Sequence, residues 1–294
     1  MGTGTDTLTE RVRAWRDWGE AVEFRGHSIH VFRQEGEGPP LLLLHGFPSS
    51  SYDWRALLDE LVGREVLAFD FLGFGLSDKP RDHDYSLFWQ ADLTEEMVRR
   101  YCGEAPVFVV AHDMGTSVAN ELMARDLEGK LGISVAGILL FNGSMVLERA
   151  TPTPAQRALR SRVGPLVSHL TNERLFRQQL GSVFSAAHPL GEEEAADQWS
   201  LVCHNGGRTL AHRTISYMDQ RETYAGRWHG AIRDWRGELS LAWGLLDPVA
   251  NTAVLGALRE LRPGVPVAEL PELAHYPQIE DPARIAGAVA QASE

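Results

Sequence analysis

The fold of this chain is decided by Val109-Val110-Ala111-His112-Asp113-Met114-Gly115, where an apolar run over 106–110 gives way to a small, an acidic and a second small residue. A helix-like run follows at once. The pattern is typical of a nucleophile elbow, a sharp turn between a strand and a helix that presents one side chain above the edge of a parallel sheet. Ala111 and Gly115 supply the small neighbours that this crowded backbone needs, and Asp113 takes the place of the nucleophile. The alternative is a strand that ends in a polar turn, with Asp113 as the N-cap of the helix.

The composition is that of an ordinary globular protein. Of its 294 residues 44% are hydrophobic and 23% are charged, which suits a single α/β domain that carries an insertion. The formal net charge of −12 argues against nucleic acid or an anionic membrane surface as a partner. Cys102 and Cys203 have neither metal-ligand spacing nor a disulfide framework. Residues 1–6 show no secretory signal and the apolar run 41–44 is too short to span a bilayer, so the default expectation is a cytoplasmic protein.

Strands and helices alternate along most of the chain. A β-hairpin is predicted over 21–33, and apolar runs predict strands over 41–44, 65–71, 106–111, 131–141, 238–244 and 265–270. The alternation stops between residues 144 and 228, where only helical patterns occur and where the acidic run 192–194 is taken as a solvated helix start. The sequence therefore predicts a mostly parallel, doubly wound α/β sheet built from 1–143 and 229–294, with a helical cap inserted over 144–228.

Three polar residues follow three of the predicted strands, in the order Asp113, Asp247, His275. In a parallel sheet the carboxyl ends of the strands share one edge, so we expect these side chains to meet there. The order nucleophile, acid, histidine is the one found in α/β-hydrolases. Together with His45-Gly46-Phe47-Pro48 after the first apolar strand, the three residues predict a catalytic triad.

Longer segments strengthen this resemblance. The segment 45–48, the glycine-rich turn over 73–80 and the Asp113 elbow resemble those of the α/β-hydrolases that include epoxide hydrolases and haloalkane dehalogenases. Within that group, much of 41–85 and the segments around Asp247 and His275 are similar to the vertebrate mesoderm-specific transcript proteins. In the cap the resemblance is confined to a few residues near Tyr217.

The chemistry of a carboxylate nucleophile implies two steps. Asp113 attacks an electrophilic sp³ carbon and forms an alkyl ester with the enzyme. Because a carboxylate needs no deprotonation, His275 is free to act as the general base on a water molecule in the second step, with Asp247 fixing its tautomer. The backbone N–H groups of Phe47 and Met114 form the predicted oxyanion hole.

The leaving group is indicated by what surrounds the elbow. Expulsion of halide needs N–H donors, and the resemblance implies a Trp directly after the nucleophile and often an Asn in the 45–48 segment of a haloalkane dehalogenase. This chain has Met114 and Phe47 in those places, so a dehalogenase is disfavoured.

Opening of an epoxide instead needs a proton donor, and the related epoxide hydrolases use two cap tyrosines. Tyr217 resembles the second of them, but residues 143–215 contain no tyrosine, so the first is missing. Tyr224, seven residues after Tyr217, is expected to pack the cap. Epoxide opening to a diol is the favoured activity. Dehalogenation, hydrolysis of an ester and a non-catalytic ligand-binding role stay open.

The predicted substrate site is apolar. Its expected lining residues are Phe47, Trp54, Met114, Met145, Phe176 and Trp199, and the expected partner is a small apolar electrophile. His45 and His112 are expected to be structural. No metal or organic cofactor is predicted, and an assembly of several copies is left open.

Overall fold

Eight strands form one sheet in the computed structural model, which describes residues 8–293. They are β1 (Glu20–Phe24), β2 (His27–Gln34), β3 (Glu37–Leu44), β4 (Arg64–Phe69), β5 (Val107–His112), β6 (Val135–Phe141), β7 (Glu238–Gly244) and β8 (Val267–Leu270). Their order is β1-β2-β4-β3-β5-β6-β7-β8, with β2 antiparallel to both of its neighbours and every other pair parallel. The predicted doubly wound, mostly parallel sheet is confirmed, and the predicted hairpin is β1 and β2.

The central strands are apolar on both faces because helices cover both faces of the sheet. Successive side chains point to opposite faces, so Leu42 and Val109 belong to one hydrophobic core, the first core, and Leu43 and Val110 to the other, the second core. All four side chains are fully buried. This arrangement makes the carboxyl ends of β3 and β5 a rigid base for the loops that follow them.

Fourteen α-helices accompany the sheet within the described residues. They are α1 (Glu10–Trp18), α2 (Arg55–Glu60), α3 (Leu87–Tyr101), α4 (Met114–Leu127), α5 (Pro154–Arg160), α6 (Gly164–Leu170), α7 (Glu173–Gly181), α8 (Glu192–Cys203), α9 (Ala211–Thr214), α10 (Tyr217–Thr223), α11 (Ala225–Asp234), α12 (Thr252–Leu261), α13 (Pro277–Glu280) and α14 (Pro282–Ser293). None of these helices is both long enough and apolar enough to cross a membrane. The absence of a secretory signal was predicted for residues that lie outside the described part of the chain.

Helices α5 to α11 fill the interval between β6 and β7, where the cap is predicted. The predicted boundary at residue 228 falls inside α11, which packs on α4 of the sheet domain: the Trp228 indole N–H and the Arg227 guanidinium both bond to the buried carboxylate of Glu121. Two details of the helical pattern differ from prediction. The sequence does not predict α6, because Gly164-Pro165 is typical of a turn. The helical pattern over 208–224 favours one continuous helix, but the structure divides it between α9 and α10.

Helix α8 is tied to the sheet domain by its acidic residues, which corrects the prediction of a merely solvated start. Arg11 of α1 bonds to Glu193 at 3.0 Å, to Glu194 at 3.2 Å and to Asp197 at 3.0 Å. Arg55 of α2 also bonds to Glu194, at 3.0 Å. Asp197 is buried, and its carboxylate also accepts a hydrogen bond from the Tyr52 hydroxyl. A sequence pattern cannot show such contacts, because the partners are more than 130 positions apart along the chain.

Candidate active site

Asp113 occupies the turn between β5 and α4 in a backbone conformation that side-chain-bearing residues rarely adopt, with φ 42° and ψ −108°. Its side chain makes no capping hydrogen bond to α4, so the alternative of an N-cap is wrong. The strained backbone is held by Thr116, whose N–H and hydroxyl both donate to the Asp113 carbonyl. Gly115 is required because a Cβ there would lie 2.4 Å from the carbonyl oxygen of Leu44.

The loop after β3 approaches Asp113 closely. A Cβ on Gly46 would lie 2.7 Å from the Asp113 Cβ, so glycine is what permits this contact. The Phe47 N–H then donates to Asp113 Oδ2 at 2.9 Å. The structure therefore places one predicted oxyanion-hole donor on the carboxylate. The N–H of Met114 makes no hydrogen bond to this carboxylate within the described residues, and its role stays a prediction.

His275 and Asp247 meet beside Asp113, as the positions after their strands predict. His275 Nδ1 lies 2.7 Å from Asp247 Oδ2. The other carboxylate oxygen accepts the N–H groups of Val249 at 2.7 Å and Ala250 at 3.0 Å, and the Asn142 amide donates to Oδ2 at 2.9 Å. Because amide donors fix Asp247 from both sides, the imidazole donates from Nδ1 and leaves Nε2 for proton transfer.

The ionisation of His275 is governed by opposing effects. Burial alone would lower its pKa, but the charge and hydrogen bond of Asp247 and the charge of Asp113 outweigh burial and raise the pKa to about 9. His275 is therefore protonated at neutral pH as long as Asp113 carries its charge.

The two other histidines near the elbow hold loops in place. His45 accepts the N–H of Phe71 on Nε2 at 3.0 Å, which leaves Nδ1 to donate to the Gly46 carbonyl at 2.9 Å. His112 Nε2 lies 2.7 Å from the carbonyl oxygen of His275. Burial lowers the pKa of both imidazoles, which keeps them neutral. These contacts agree with the structural roles that were predicted.

Tyr217 of the cap lies against the site, where its side chain is fully buried and its ring centroid is 5.8 Å from that of Phe47. Burial and the charge of the neighbouring Asp113 raise its pKa, so the phenol keeps its proton. Among the described residues no group meets its hydroxyl with good hydrogen-bond geometry, although the Asp113 carboxylate is close enough to interact with it. A buried hydroxyl without a partner is costly unless a ligand completes it. Tyr224 is at the cap surface and packs on Phe88 and Trp228, as predicted.

Arg221 is a site residue that the sequence analysis misses. Its guanidinium is buried and donates to the Ser117 hydroxyl at 2.7 Å, the Ser144 hydroxyl at 2.6 Å and the Asp113 carbonyl at 2.7 Å. Nη2 is also 3.9 Å from Asp113 Oδ1. The available signal was its position four residues after Tyr217, which places both side chains on one face of α10.

A cavity of about 100 Å³ lies between the cap and the sheet domain and reaches His275. Its wall is mostly apolar and is built by the 47–48 loop, by α5 and α7, and by Tyr276 next to the histidine. Phe47 and Phe176 are part of this wall, as predicted.

The other predicted lining residues lie elsewhere. Trp54 is buried against Phe141 in the second core, although its neighbours Tyr52 and Arg55 bond to α8 of the cap. Met114 and Met145 are buried in the first core. Trp199 packs on the ring of Phe176 and is not in the cavity wall. Residues 8–293 contain no cluster of His, Cys, Asp or Glu side chains that could hold a metal ion.

Comparisons with known proteins agree with this fold. The model of the alpha/beta hydrolase family matches residues 41–288. LipZ of Mycobacterium tuberculosis is 51% identical over 271 residues, which cover 92% of this chain and 94% of that protein. The mesoderm-specific transcript protein of Mus musculus is 33% identical over 288 residues, covering 94% of this chain and 85% of that protein, which confirms the resemblance noted from the sequence.

Solved structures show the same architecture. An alpha/beta hydrolase fold protein from Burkholderia ambifaria has a TM-score of 0.77 and 25% identity, over 94% of this chain and 98% of that chain. The epoxide hydrolase CorEH has a TM-score of 0.75 over 93% of this chain and 97% of that chain, and its 18% identity shows the fold alone. The family model covers most of the sequence, and the solved alpha/beta hydrolase structure from Burkholderia ambifaria has the same fold. The chain therefore belongs to the alpha/beta hydrolase family.

Proposed function

We propose that this hydrolase opens epoxides to diols through a covalent ester on Asp113. The observation that carries the proposal is the buried Tyr217 hydroxyl, which is close to the Asp113 carboxylate and makes no well-formed hydrogen bond within residues 8–293. An epoxide leaves as an alkoxide on the same molecule and needs a proton, which a free phenol can give. The side chains of Met114 and Phe47 offer no N–H donor for a halide.

The first step uses the two carboxylate oxygens differently. Oδ2 is held by the Phe47 N–H, so Oδ1 is the oxygen that attacks the epoxide carbon. The bond from that carbon to the epoxide oxygen breaks, and the oxygen takes the proton of Tyr217. The product is a hydroxyalkyl ester in which Oδ2 has become the carbonyl oxygen.

The second step hydrolyses this ester. Water attacks the Asp113 Cγ while His275 Nε2 takes its proton, and the negative charge that develops on Oδ2 is stabilised by the Phe47 N–H. The bond between Cγ and the ester oxygen breaks, the diol leaves with a proton returned from His275, and the carboxylate is regenerated. The second proton of the water, which remains on the Asp113 carboxyl group, passes to the Tyr217 phenolate, so the cycle is balanced.

The coupling between Asp113 and His275 gives a pH prediction. Alkylation removes the Asp113 charge, one of the causes that raise the His275 pKa to about 9 in the free enzyme. Since only the neutral imidazole is a base, ester hydrolysis should slow as pH falls, with an apparent pKa below that of the free enzyme. An NMR titration of His275 in the free enzyme, compared with the pH profile of single-turnover ester hydrolysis, checks this. Equal pKa values would contradict it.

The proposal is tested by trapping the ester. In His275→Ala the first step should proceed and the second should stall, so intact-mass spectrometry after incubation with epoxides should show the enzyme plus the full mass of the epoxide, mapped to Asp113. A haloalkane would instead add its alkyl group without the halide. Adducts from haloalkanes alone would overturn epoxide opening in favour of dehalogenation. The absence of every adduct, together with an inactive wild type, would favour a binding protein.

A further inference from the structure

The site holds a cation whose position the proposed chemistry has not yet used. Arg221 is 1% exposed, and the carbon of its guanidinium lies 4.7 Å from the centroid of the Tyr217 ring. A buried guanidinium is costly unless its N–H groups are satisfied, and here three hydrogen bonds fix it in one orientation. The charge is therefore held against the ring rather than left free to move.

We infer that Arg221 is a positioning residue for the proton donor: its fixed positive charge on the Tyr217 ring eases transfer of the phenol proton to the leaving alkoxide. The inference rests on the proposed function. It also accounts for the departure of this chain from the two-tyrosine pattern, because a charge on one tyrosine takes the place of the second hydroxyl.

The physical argument concerns how the interaction changes during the reaction. Before proton transfer the guanidinium meets the negative face of a neutral ring, a modest cation–π attraction. As the proton leaves, the fully buried side chain acquires a full negative charge, and the attraction grows. An interaction that is stronger in the transition state than in the ground state accelerates the step. Burial and Asp113 raise the Tyr217 pKa, and Arg221 opposes them.

A purely structural role would have different consequences. Arg221 also joins α10 of the cap to Ser117 of α4 and to Ser144, so its loss could simply loosen the cap. Loosening of the cap, or loss of the charge 3.9 Å from Asp113 Oδ1, would slow the reaction whether or not residue 217 has a hydroxyl. Action through the phenol requires that hydroxyl, and a double-mutant cycle separates the two cases.

The cycle is measured on the alkylation step, in the His275→Ala parent, as the rate of ester formation with an epoxide by intact mass. We expect Tyr217→Phe to slow alkylation about 100-fold and Arg221→Met about tenfold. The double variant should be within about threefold of Tyr217→Phe alone, because the charge has no phenol left to act on. Arg221→Lys, which keeps a charge, should recover part of the rate.

Arg227→Met is the matched control. Arg227 bonds to Glu121 and Glu128 away from the site, so this variant should alkylate at the parent rate.

Independent, multiplicative effects of the two substitutions would overturn the inference and leave the proposed function standing. If Arg221→Met does not fold, as shown by its melting curve, Ser144→Ala loosens the guanidinium without removing it. It should slow alkylation when Tyr217 is present and not in Tyr217→Phe, and equal slowing in both would overturn the inference. A parent that forms no ester with any epoxide would overturn the proposed function itself, and this inference with it.

Discussion

Replacing Asp113 by alanine is expected to lower kcat by roughly 10⁴-fold or more. The reason is that the substitution removes the oxygen that is proposed to form the ester, and the Phe47 N–H loses the atom that it holds at 2.9 Å. The fold should survive. A buried carboxylate is costly to desolvate and is kept here for reactivity, so the melting temperature of Asp113→Ala should equal or exceed that of the wild type.

Steady-state kinetics with an epoxide and a melting curve check this prediction together. Asp219→Ala is a suitable control, because Asp219 is an exposed residue of the same cap helix as Tyr217 and its carboxylate bonds to Arg160 at the surface. It should keep the wild-type kcat. Residual turnover of Asp113→Ala above a few per cent would show that another group forms the bond to substrate.

Asp247→Asn should lower the rate of ester hydrolysis by about 10⁴-fold, the scale seen when a triad carboxylate becomes an amide. Every neighbour of the Asp247 carboxylate is a donor: the N–H groups of Val249 and Ala250 on Oδ1, and the Asn142 amide with His275 Nδ1 on Oδ2. An asparagine NH₂ must therefore face donors on either side. If it faces the imidazole, Nδ1 becomes the acceptor and Nε2 carries the hydrogen, which is the wrong tautomer for a base.

The first step should be far less affected, because alkylation needs no base. Rapid-quench mass spectrometry of Asp247→Asn should thus show an ester on Asp113 that persists, whereas wild type should release it. The unmatched donors should also cost about 1–3 kcal/mol of unfolding free energy. If the rate of ester formation fell as much as the rate of ester hydrolysis, the result would contradict the proposed role of Asp247 in the second step alone.

The parts of this molecule that sequence could predict are those encoded by local pattern. Alternating apolar and helical runs predict the sheet, and the small residues around Asp113 predict the elbow, because steric crowding at one turn is a local property. Asp247 and His275 could be found because both follow predicted strands, whose carboxyl ends share one edge of a parallel sheet.

The parts that could not be predicted depend on which face a distant residue presents. Trp54 was expected in the substrate site, yet its side chain is buried against Phe141 in the second core. Arg221 was passed over because a charged residue on a cap helix ordinarily faces solvent. Only the packing of α10 shows that it is buried next to Tyr217.

The bonds between α1 and α8 bear on how the molecule folds and opens. Thr9 and Arg11 bond to acidic residues of α8 that lie 188 and 182 positions further along the chain. Closing so long a loop costs chain entropy that must be met before the contact stabilises anything, so such contacts form late. The cavity wall would then be completed only after the sheet has formed. By the same reasoning, detachment of α8 is a partial unfolding that leaves the sheet intact and removes Val202 from the cavity wall.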